Sequence, residues 1–348
     1  MKKLNFLCSE LSGTGGTEAV LVRVLNHLVD AYDVTLTLSN EPLKKEWLHN
    51  LDSKVKILTF KGHNNITKLA FISKIFLTSR DTDFISLSPK MILIGAKIRK
   101  VFHKKYKLIS WFHFSLTGQD MFDIPSTLPH ADGHLAISNT IKRQLTDLDI
   151  PKANIKVINN PIDDFDITPS LENNSNNIRL FFAGRPTLGG FKNLREMLTG
   201  ISKVENAYLD VYGTSDEIKE CQDFADSLGL KGRVSWHGWT ADLWSKIKDR
   251  PTALIMTSTS EGLSMIMLES VSHGIPVISS QFDGYENIVK DGINGFSYPL
   301  GDVDKLAEVI KKTARANLNP QKVKDSISEF YPEEYFAKLD DALSYFLK

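Results

Sequence analysis

The chain has 348 residues, of which 42% are hydrophobic and 24% charged, so it is long enough for two globular domains with ordinary cores. Its 42 basic and 42 acidic side chains cancel, which argues against a protein held to nucleic acid or to membranes by its overall charge. Only Cys8 and Cys221 are present, far apart, and no apolar run reaches the ~20 residues that span a bilayer. We therefore expect a soluble, cytoplasmic protein with two buried thiols and no nucleic-acid partner.

Apolar runs that predict strands alternate with amphipathic segments that predict helices. In the first half the predicted strands are residues 4–8, 34–38, 55–60, 84–87, 106–111, 133–137 and 156–158. The helices between them are predicted at residues 19–29, 67–78, 89–98 and 140–148. A second series has strands at 178–183, 208–212, 234–237, 252–256 and 277–279, with helices from about Leu194, Glu217 and Met265. This alternation predicts an α/β fold with parallel sheets.

The two series predict two domains. We expect an N-terminal lobe over residues 1–163, a polar, turn-rich linker over 164–177 and a C-terminal lobe over 178–331. A final helix is predicted over residues 332–348. Its apolar stripe could pack on either lobe, and we expect it to return to the N-terminal one.

Residues 260–269, Ser-Glu-Gly-Leu-Ser-Met-Ile-Met-Leu-Glu, carry the strongest chemical signal. They follow a buried strand and lead into a helix, so Glu261 lies in the turn and Glu269 lies about two helical turns further on. A helix N-terminus binds phosphate through its free N–H groups, and ionised carboxylates accept hydrogen bonds from sugar hydroxyls. This arrangement predicts nucleotide-sugar binding.

Two other loops could contact phosphate. The glycine-rich turn 13–18 opens a helix, but Glu18 stands where a dinucleotide fingerprint has glycine, and the turn lacks the Gly-Lys-Ser/Thr of a P-loop. A tight strand-to-helix turn explains it equally well. Arg185 follows the first strand of the second half, and Lys192 comes seven residues later. A planar guanidinium and a point charge together suit a diphosphate, although basic residues after a strand are often only solvated.

Among the nine histidines, His113 stands at the end of a predicted strand, where ligands bind in open α/β sheets. There it could hydrogen-bond a sugar or organise an acceptor hydroxyl, whereas most histidines are structural. His237 has a similar setting, and we expect His273 to pack in the turn at a helix end. No histidine pair has metal-ligand spacing with supporting acids, so we expect neither a metal ion nor another cofactor.

Charge is uneven within the first half. Residues 61–110 contain eleven Lys and Arg against two Asp, an excess of nine positive charges that the rest of the chain balances. The apolar residues beside them are Phe71, Ile72, Ile75, Phe76, Met91, Ile92 and Leu93. This basic 61–110 region could dock on anionic lipid at the inner face of the cell membrane, or it could be a solvated face over ordinary core helices.

An ordered series of motifs resembles the family-four retaining glycosyltransferases, which have the two-lobed GT-B fold. The resemblance runs nearly end to end and is strongest over residues 252–302. The motifs there are Glu261 with Glu269, then residues 273–278 (His-Gly-Ile-Pro-Val-Ile), 284–286 (Gly-Tyr-Glu), 291–296 (Asp-Gly-Ile-Asn-Gly-Phe) and 301–302 (Gly-Asp). Further matches are Gly15-Gly16, residues 136–138, residues 160–163, and Gly184-Arg185 with Lys192. Residues 110–116, Ser-Trp-Phe-His-Phe-Ser-Leu, are particularly similar to bacterial galactosyltransferases of lipopolysaccharide and capsule assembly.

The resemblance implies two Rossmann-like lobes that face each other across a donor and acceptor cleft, and it implies roles for the matched residues. Arg185 and Lys192 would neutralise the diphosphate in place of a metal ion, and His113 would lie near the donor sugar and the acceptor. Glu261 would face the transferred hexose, and Glu269 would hold the ribose. The other donor-binding residues would be Gly15, Gly16, Gly184, Gly262, Leu263, Ser264 and Met265, with His237, Gly238 and Trp239 receiving the base.

These features together predict a retaining transferase that moves a hexose, galactose or glucose, from a UDP-sugar to a hydroxyl of a bacterial cell-surface glycan or lipid-linked acceptor. Two alternatives remain open. One is a nucleotide-sugar 2-epimerase of the same fold, and the other is a catalytically silent subunit that only recognises glycan.

Overall fold

The structure, a computed structural model, describes residues 1–9, 11, 13, 16–116, 123–170 and 176–348. The chain divides into two compact units. Unit 1 comprises Met1–Pro161 together with Glu333–Lys348, and unit 2 comprises Ile162–Pro332.

Strands and helices alternate in both units. The strands of unit 1 are β1 (Lys2–Cys8), β2 (Tyr32–Leu38), β3 (Lys56–Thr59), β4 (Thr82–Ser86), β5 (Leu108–Phe112), β6 (Gly133–Ala136) and β7 (Ile155–Val157). The helices between them are α1 (Gly16–Leu28), α2 (Asn65–Thr78), α3 (Pro89–Val101), α4 (Ile124–Thr127) and α5 (Asn139–Asp147). The strands of unit 2 are β8 (Ile178–Ala183), β9 (Ala207–Tyr212), β10 (Val234–Gly238), β11 (Ala253–Met256), β12 (Val277–Ser280) and β13 (Gly295–Tyr298). The remaining helices are α6 (Leu194–Ser202), α7 (Ile218–Ser227), α8 (Met265–Ser272), α9 (Val303–Ala316), α10 (Pro320–Asp325) and α11 (Pro332–Phe346).

The sheet of unit 1 is parallel, with strand order β3-β2-β1-β4-β5-β6-β7. The last five residues of β1 and all five of β5 are buried, as expected for strands covered by helices on both faces. Strand order reverses between β1 and β4, and ligands of open α/β sheets bind beyond the carboxyl ends of the strands at such a reversal. The glycine-rich turn after β1 and His113 after β5 therefore follow strands at this edge.

The final helix, α11, packs on unit 1. The ring of Phe336 stacks on His27 with 4.0 Å between centroids, and Asp340 lies 3.0 Å from the same imidazole. Gly133 leaves room for Phe346, since a Cβ at position 133 would lie only 2.5 Å from that ring. These contacts, which sequence periodicity cannot reveal, decide which sheet the apolar stripe of α11 covers.

The sheet of unit 2 is also parallel, with strand order β10-β9-β8-β11-β12-β13 and a reversal between β8 and β11. Residues 162–170 belong to this unit. The N–H of Phe165 donates to Ser272 Oγ at 3.2 Å, and the N–H of Thr168 donates to the carbonyl of His273 at 3.0 Å. The first part of the segment predicted as a linker is thus fixed to unit 2, while its residues 171–175 lie outside the described residues.

The predicted fold class is confirmed, because both units are Rossmann-like layers of helices around a parallel sheet. Three elements near the end of unit 2, β13, α9 and α10, had no counterpart in the sequence prediction. Both cysteines are buried, and burial raises the pKa of each thiol. Within the described part of the chain, no helix combines the length and apolar character needed to cross a membrane.

Candidate active site

Three glycines line the carboxyl edge of the sheet in unit 2. Gly184 follows β8, Gly213 follows β9, and Gly238 ends β10. The N–H of Gly184 donates to the backbone carbonyl of Tyr212 at 2.9 Å, and the N–H of Gly213 donates to the backbone carbonyl of Gly238 at 2.7 Å. A Cβ on Gly213 would lie 1.8 Å from the carbonyl oxygen of Gly184, so only glycine permits this approach. Gly213, which the sequence did not mark, thus allows the backbone after β8 and β9 to come close together beside the predicted base-binding residues.

The loop from Gly184 to Asn193 carries both predicted phosphate-binding cations, and it is hydrogen-bonded to the residue before α7 and to the residue after β11. The N–H of Leu188 donates to Glu217 Oε2 at 3.0 Å. The hydroxyl of Thr257, just beyond β11, donates to the carbonyl of Asn193 at 2.9 Å. These two hydrogen bonds connect the middle and the end of the loop to the rest of unit 2.

Lys192 and Glu261 form an ion pair at this edge, with 2.6 Å between Lys192 Nζ and Glu261 Oε1. Ser258 Oγ donates to the same carboxylate oxygen at 2.8 Å. Both charged side chains are mostly shielded from solvent, at 23% and 17% exposure. The sequence predicted separate roles for the two residues, and the structure places them in direct contact.

Arg185 differs from Lys192 in being exposed. Among the described residues no carboxylate pairs with its guanidinium, and no hydrogen bond engages it. A guanidinium carries five donors in a planar fork, so Arg185 can offer a bidentate contact to a phosphate without breaking an existing interaction.

Glu269 is oriented by a tryptophan that the sequence analysis missed. Trp244 Nε1 donates to Glu269 Oε2 at 3.0 Å. The indole stacks on His273 with 4.0 Å between centroids, and His273 stacks in turn on Phe165 at 4.6 Å. Trp244 lies between β10 and β11, outside the family-like motifs, so no local pattern marked it.

His273 supports this stack as a neutral ring. Its Nδ1 lies 3.0 Å from the carbonyl oxygen of Asp166, and burial lowers its pKa although that hydrogen bond opposes the shift. As predicted, His273 packs at the end of α8, where its N–H bonds the carbonyl of Glu269 at 3.0 Å. Its role is structural support for the tryptophan.

Helix α8 begins directly after the turn formed by Gly262, Leu263 and Ser264, with Met265 as its first residue. Ser264 occupies the N-cap, but its side chain makes no capping hydrogen bond. The first N–H groups of a helix have no partner within the helix, and the helix dipole favours negative charge there. The start of α8 therefore has the chemistry of an anion site between Glu261 and Glu269.

The predicted base-binding residues lie at the end of β10. His237 stacks on Tyr212 with 4.6 Å between centroids, and its Nε2 lies 2.6 Å from Asp210 Oδ1. Trp239 is 53% exposed. The His237 side chain is already engaged with Asp210, so its contact with a base stays a prediction.

In unit 1, His113 follows β5 and has both ring nitrogens buried without a hydrogen-bond partner among the described residues. Burial lowers its pKa to about 3, so the imidazole is uncharged at neutral pH. Its ring meets the edge of Trp111, with 4.4 Å between centroids. A buried polar group left unpaired is uncommon and calls for an explanation, such as a hydrogen bond made only with ligand.

Gly16 is the first residue of α1, whereas Gly15 lies outside the described residues. Glu18 is buried in the first turn of this helix, and one of its carboxylate oxygens accepts a hydrogen bond from the N–H of Gly13 at 2.5 Å. The glutamate that breaks the dinucleotide fingerprint thus bonds the backbone of Gly13 from the first turn of α1. In the part of the chain that the structure describes, no three His, Cys, Asp or Glu side chains cluster as metal ligands would.

Two family profiles match the chain in succession: "Glycosyltransferase Family 4" over residues 14–164 and "Glycosyl transferases group 1" over residues 163–328. The chain is a GT-B glycosyltransferase. The glycosyltransferase is 27% identical to the lipopolysaccharide 1,6-galactosyltransferase of Escherichia coli, over 97% of its own length and 96% of the relative. It is 28% identical to the enzyme of the same name from Salmonella typhimurium, with 98% of each chain covered.

Solved structures agree with this assignment. The glycosyltransferase superposes on the apo form of the lipopolysaccharide outer core galactosyltransferase WaaB with a TM-score of 0.85 and 28% identity, covering 98% of this chain and 99% of the other. Anabaena HepE in complex with UDP-glucose gives a TM-score of 0.78 at 19% identity, with the same coverage, which supports the fold. The predicted family, fold and enzyme class are therefore confirmed.

Proposed function

We propose that this glycosyltransferase moves a hexose, with galactose favoured over glucose, from a UDP-sugar to a hydroxyl of a bacterial cell-surface glycan or lipid-linked acceptor, with retention of anomeric configuration. The observation that carries the proposal is the set of groups at the carboxyl edge of unit 2: Arg185, the Lys192–Glu261 pair, the start of α8 and Glu269. The names of its relatives favour galactose and lipopolysaccharide, and the complex of HepE favours a UDP-sugar.

In this proposal the two glutamates contact different parts of the donor. Glu269, oriented by Trp244, accepts hydrogen bonds from the ribose hydroxyls. Glu261 accepts hydrogen bonds from the hexose while it keeps Lys192 Nζ beside the sugar–phosphate bond. Ionised carboxylates are acceptors only, so both suit hydroxyl groups rather than phosphate.

Catalysis in this proposal comes from stabilising the departing diphosphate. Arg185, Lys192 and the free N–H groups of α8 present positive charge or hydrogen-bond donors where negative charge develops. We propose that these groups act without a metal ion, as the family resemblance implies. The loss of one such donor typically lowers kcat by about 10²–10³-fold.

The test is turnover of UDP-galactose, UDP-glucose and UDP-N-acetylglucosamine with lipopolysaccharide-derived acceptors, followed by UDP release and by the mass and anomeric NMR signals of the product. We expect UDP-galactose to give product with retained configuration, in the presence and absence of a chelator. UDP release without a modified acceptor, or no release at all, would contradict transfer. An inverted product would contradict retention.

Arg185→Ala should lower kcat by about a hundredfold or more, because the leaving diphosphate loses its unpaired guanidinium. Arg195→Ala is a matched control, since Arg195 lies on α6 with its guanidinium over the ring of Phe224, 4.7 Å from the ring centroid. The control should keep turnover close to that of the wild type. Equal turnover of the two variants would show that Arg185 does not stabilise the leaving diphosphate.

A further inference from the structure

Most of the apolar residues that the sequence analysis named in the basic 61–110 region pack inside unit 1, and the others are half-buried. Ile72 and Phe76 of α2 and Met91 and Ile92 of α3 are buried, so they belong to the core of unit 1. The large apolar side chains that the region does expose lie in two other places. One pair, Ile66 and Leu69, is at the start of α2, and the other pair, Val101 and Phe102, is at the end of α3.

Val101 and Phe102 stand at the edge of the sheet opposite the candidate site residues. Because a helix that follows a parallel strand runs back along it, α3 ends near the amino ends of β4 and β5, whereas His113 follows the carboxyl end of β5. The two side chains are adjacent and are 67% and 55% exposed. Single exposed apolar residues are ordinary. Two adjacent ones at the end of a helix form a small contiguous apolar surface, whose exposure to water is unfavourable.

A cavity of about 720 Å³ lies at the amino ends of β1, β4 and β5, and His103, the residue after Val101 and Phe102, is part of its lining. Lys3, Arg80, Lys105 and Lys107 line it, and within the described residues none of these four side chains has a carboxylate partner. The acidic residues of the cavity are fewer: Asp81, and Asp83, which is paired with Lys2 at 3.2 Å. The cavity therefore has an excess of positive charge available to an anion.

Stabilisation of the helix end explains only part of this pattern. Cations near a helix C-terminus interact favourably with its dipole, which accounts for Arg99 and Lys100 in the last turn of α3. The helix dipole does not account for Lys3 at the start of β1 or for Arg80 before β4. Nor does it account for the exposed side chains of Val101 and Phe102. The neutral overall charge of the chain also shows that the excess is local to this region.

We infer that this surface, the basic edge formed by Val101, Phe102, Lys3, Arg80, Lys100, Lys105 and Lys107, docks unit 1 on an anionic lipid bilayer. The two apolar side chains enter the headgroup layer, and the cations of the cavity and of the end of α3 meet lipid phosphates. Exposed apolar side chains beside clusters of Lys and Arg are the chemistry with which peripheral proteins bind anionic membranes. Nucleic acid would be recognised mainly through its phosphates by the cations, without a use for the exposed pair. The inference does not depend on which sugar is transferred.

The test is co-sedimentation of the full-length protein with phosphatidylcholine vesicles, prepared with and without phosphatidylglycerol. We expect binding only to the anionic vesicles and weaker binding at high salt, because added ions screen the lysines. Equal binding to both kinds of vesicle, or binding that salt does not weaken, would overturn the inference.

Two variants and one control separate the contributions of the apolar and the basic side chains to vesicle binding. Val101→Ser with Phe102→Ser should weaken binding at least about tenfold, because their burial in the bilayer is lost. Lys100→Gln with Lys105→Gln should weaken it by about fivefold per lysine. Ile66→Ser with Leu69→Ser, the matched control, removes the other exposed apolar pair of the same region and should bind like the wild type.

The inference fails if the Val101 and Phe102 variant binds vesicles as the wild type does. It also fails if the Ile66 and Leu69 control loses as much vesicle binding as that variant. The altered residues are exposed, so thermal melting should show that each variant stays folded. Turnover with a water-soluble acceptor should be unchanged in both basic-edge variants. A loss of vesicle binding is thereby separated from any failure of the proposed transfer reaction.

Discussion

The hydrogen bond between Trp244 and Glu269 tests how the donor ribose is recognised. Trp244→Phe removes the N–H that lies 3.0 Å from the carboxylate, while a phenyl ring can keep the stacking on His273. A net hydrogen bond to a charged group contributes about 1.5–3 kcal/mol, and we take the lower value because both side chains are only half-buried. Since about 1.4 kcal/mol corresponds to a tenfold change in a binding constant, KM for the UDP-sugar should rise about tenfold.

The expected change is in KM rather than kcat, because contacts to ribose are the same in the ground state and the transition state. Initial rates of UDP release at varied donor and saturating acceptor would measure both constants, and calorimetric titration with UDP would report binding directly. Trp236→Phe is a matched control, since Trp236 is a half-buried tryptophan of β10 whose indole makes no hydrogen bond within the described residues. A lower kcat at unchanged KM in Trp244→Phe, or an equal rise of KM in the control, would refute the reasoning.

Two further predictions concern stability. Burial lowers the pKa of His134 to about 4, whereas an unfolded histidine titrates near 6.5, so between these values the unfolded chain binds the extra proton and stability falls by up to about 1.4 kcal/mol per pH unit on acidification. The urea midpoint should therefore fall less in His134→Gln than in the wild type between about pH 7 and about pH 5, and equal falls would contradict this. Buried Glu196 accepts hydrogen bonds from Tyr298 Oη at 2.8 Å and from the N–H of Gly301 at 2.9 Å. Glu196→Ala should cost about 3 kcal/mol by calorimetry, against about 0.5 kcal/mol or less for the exposed control Glu220→Ala; similar losses in both would be inconsistent with a buried network.

Local sequence patterns were sufficient for the layered α/β fold. Short apolar runs such as β11, and apolar residues at helical spacing such as those of α8, are periodic patterns that indicate strands and helices before any tertiary contact is known. The same patterns left the surface of the basic 61–110 region open, because an apolar residue in a helix pattern can face either the core or the solvent. Ile72 and Phe76 face the core, whereas Ile66 and Leu69 of the same helix do not.

The sequence by itself determined the fold class and the enzyme family, since local composition and residue spacing are enough to predict the order of strands, helices and short motifs. Only the tertiary structure decided which of the motif residues touch. Lys192 and Glu261 meet at 2.6 Å although 69 residues separate them, and Trp244 reaches Glu269 from a loop that no motif marks. It also decided that α11 covers unit 1. The physical reason is that such contacts depend on strand order within the sheet, which brings distant loops to one edge and has no signature in the periodicity of any single segment.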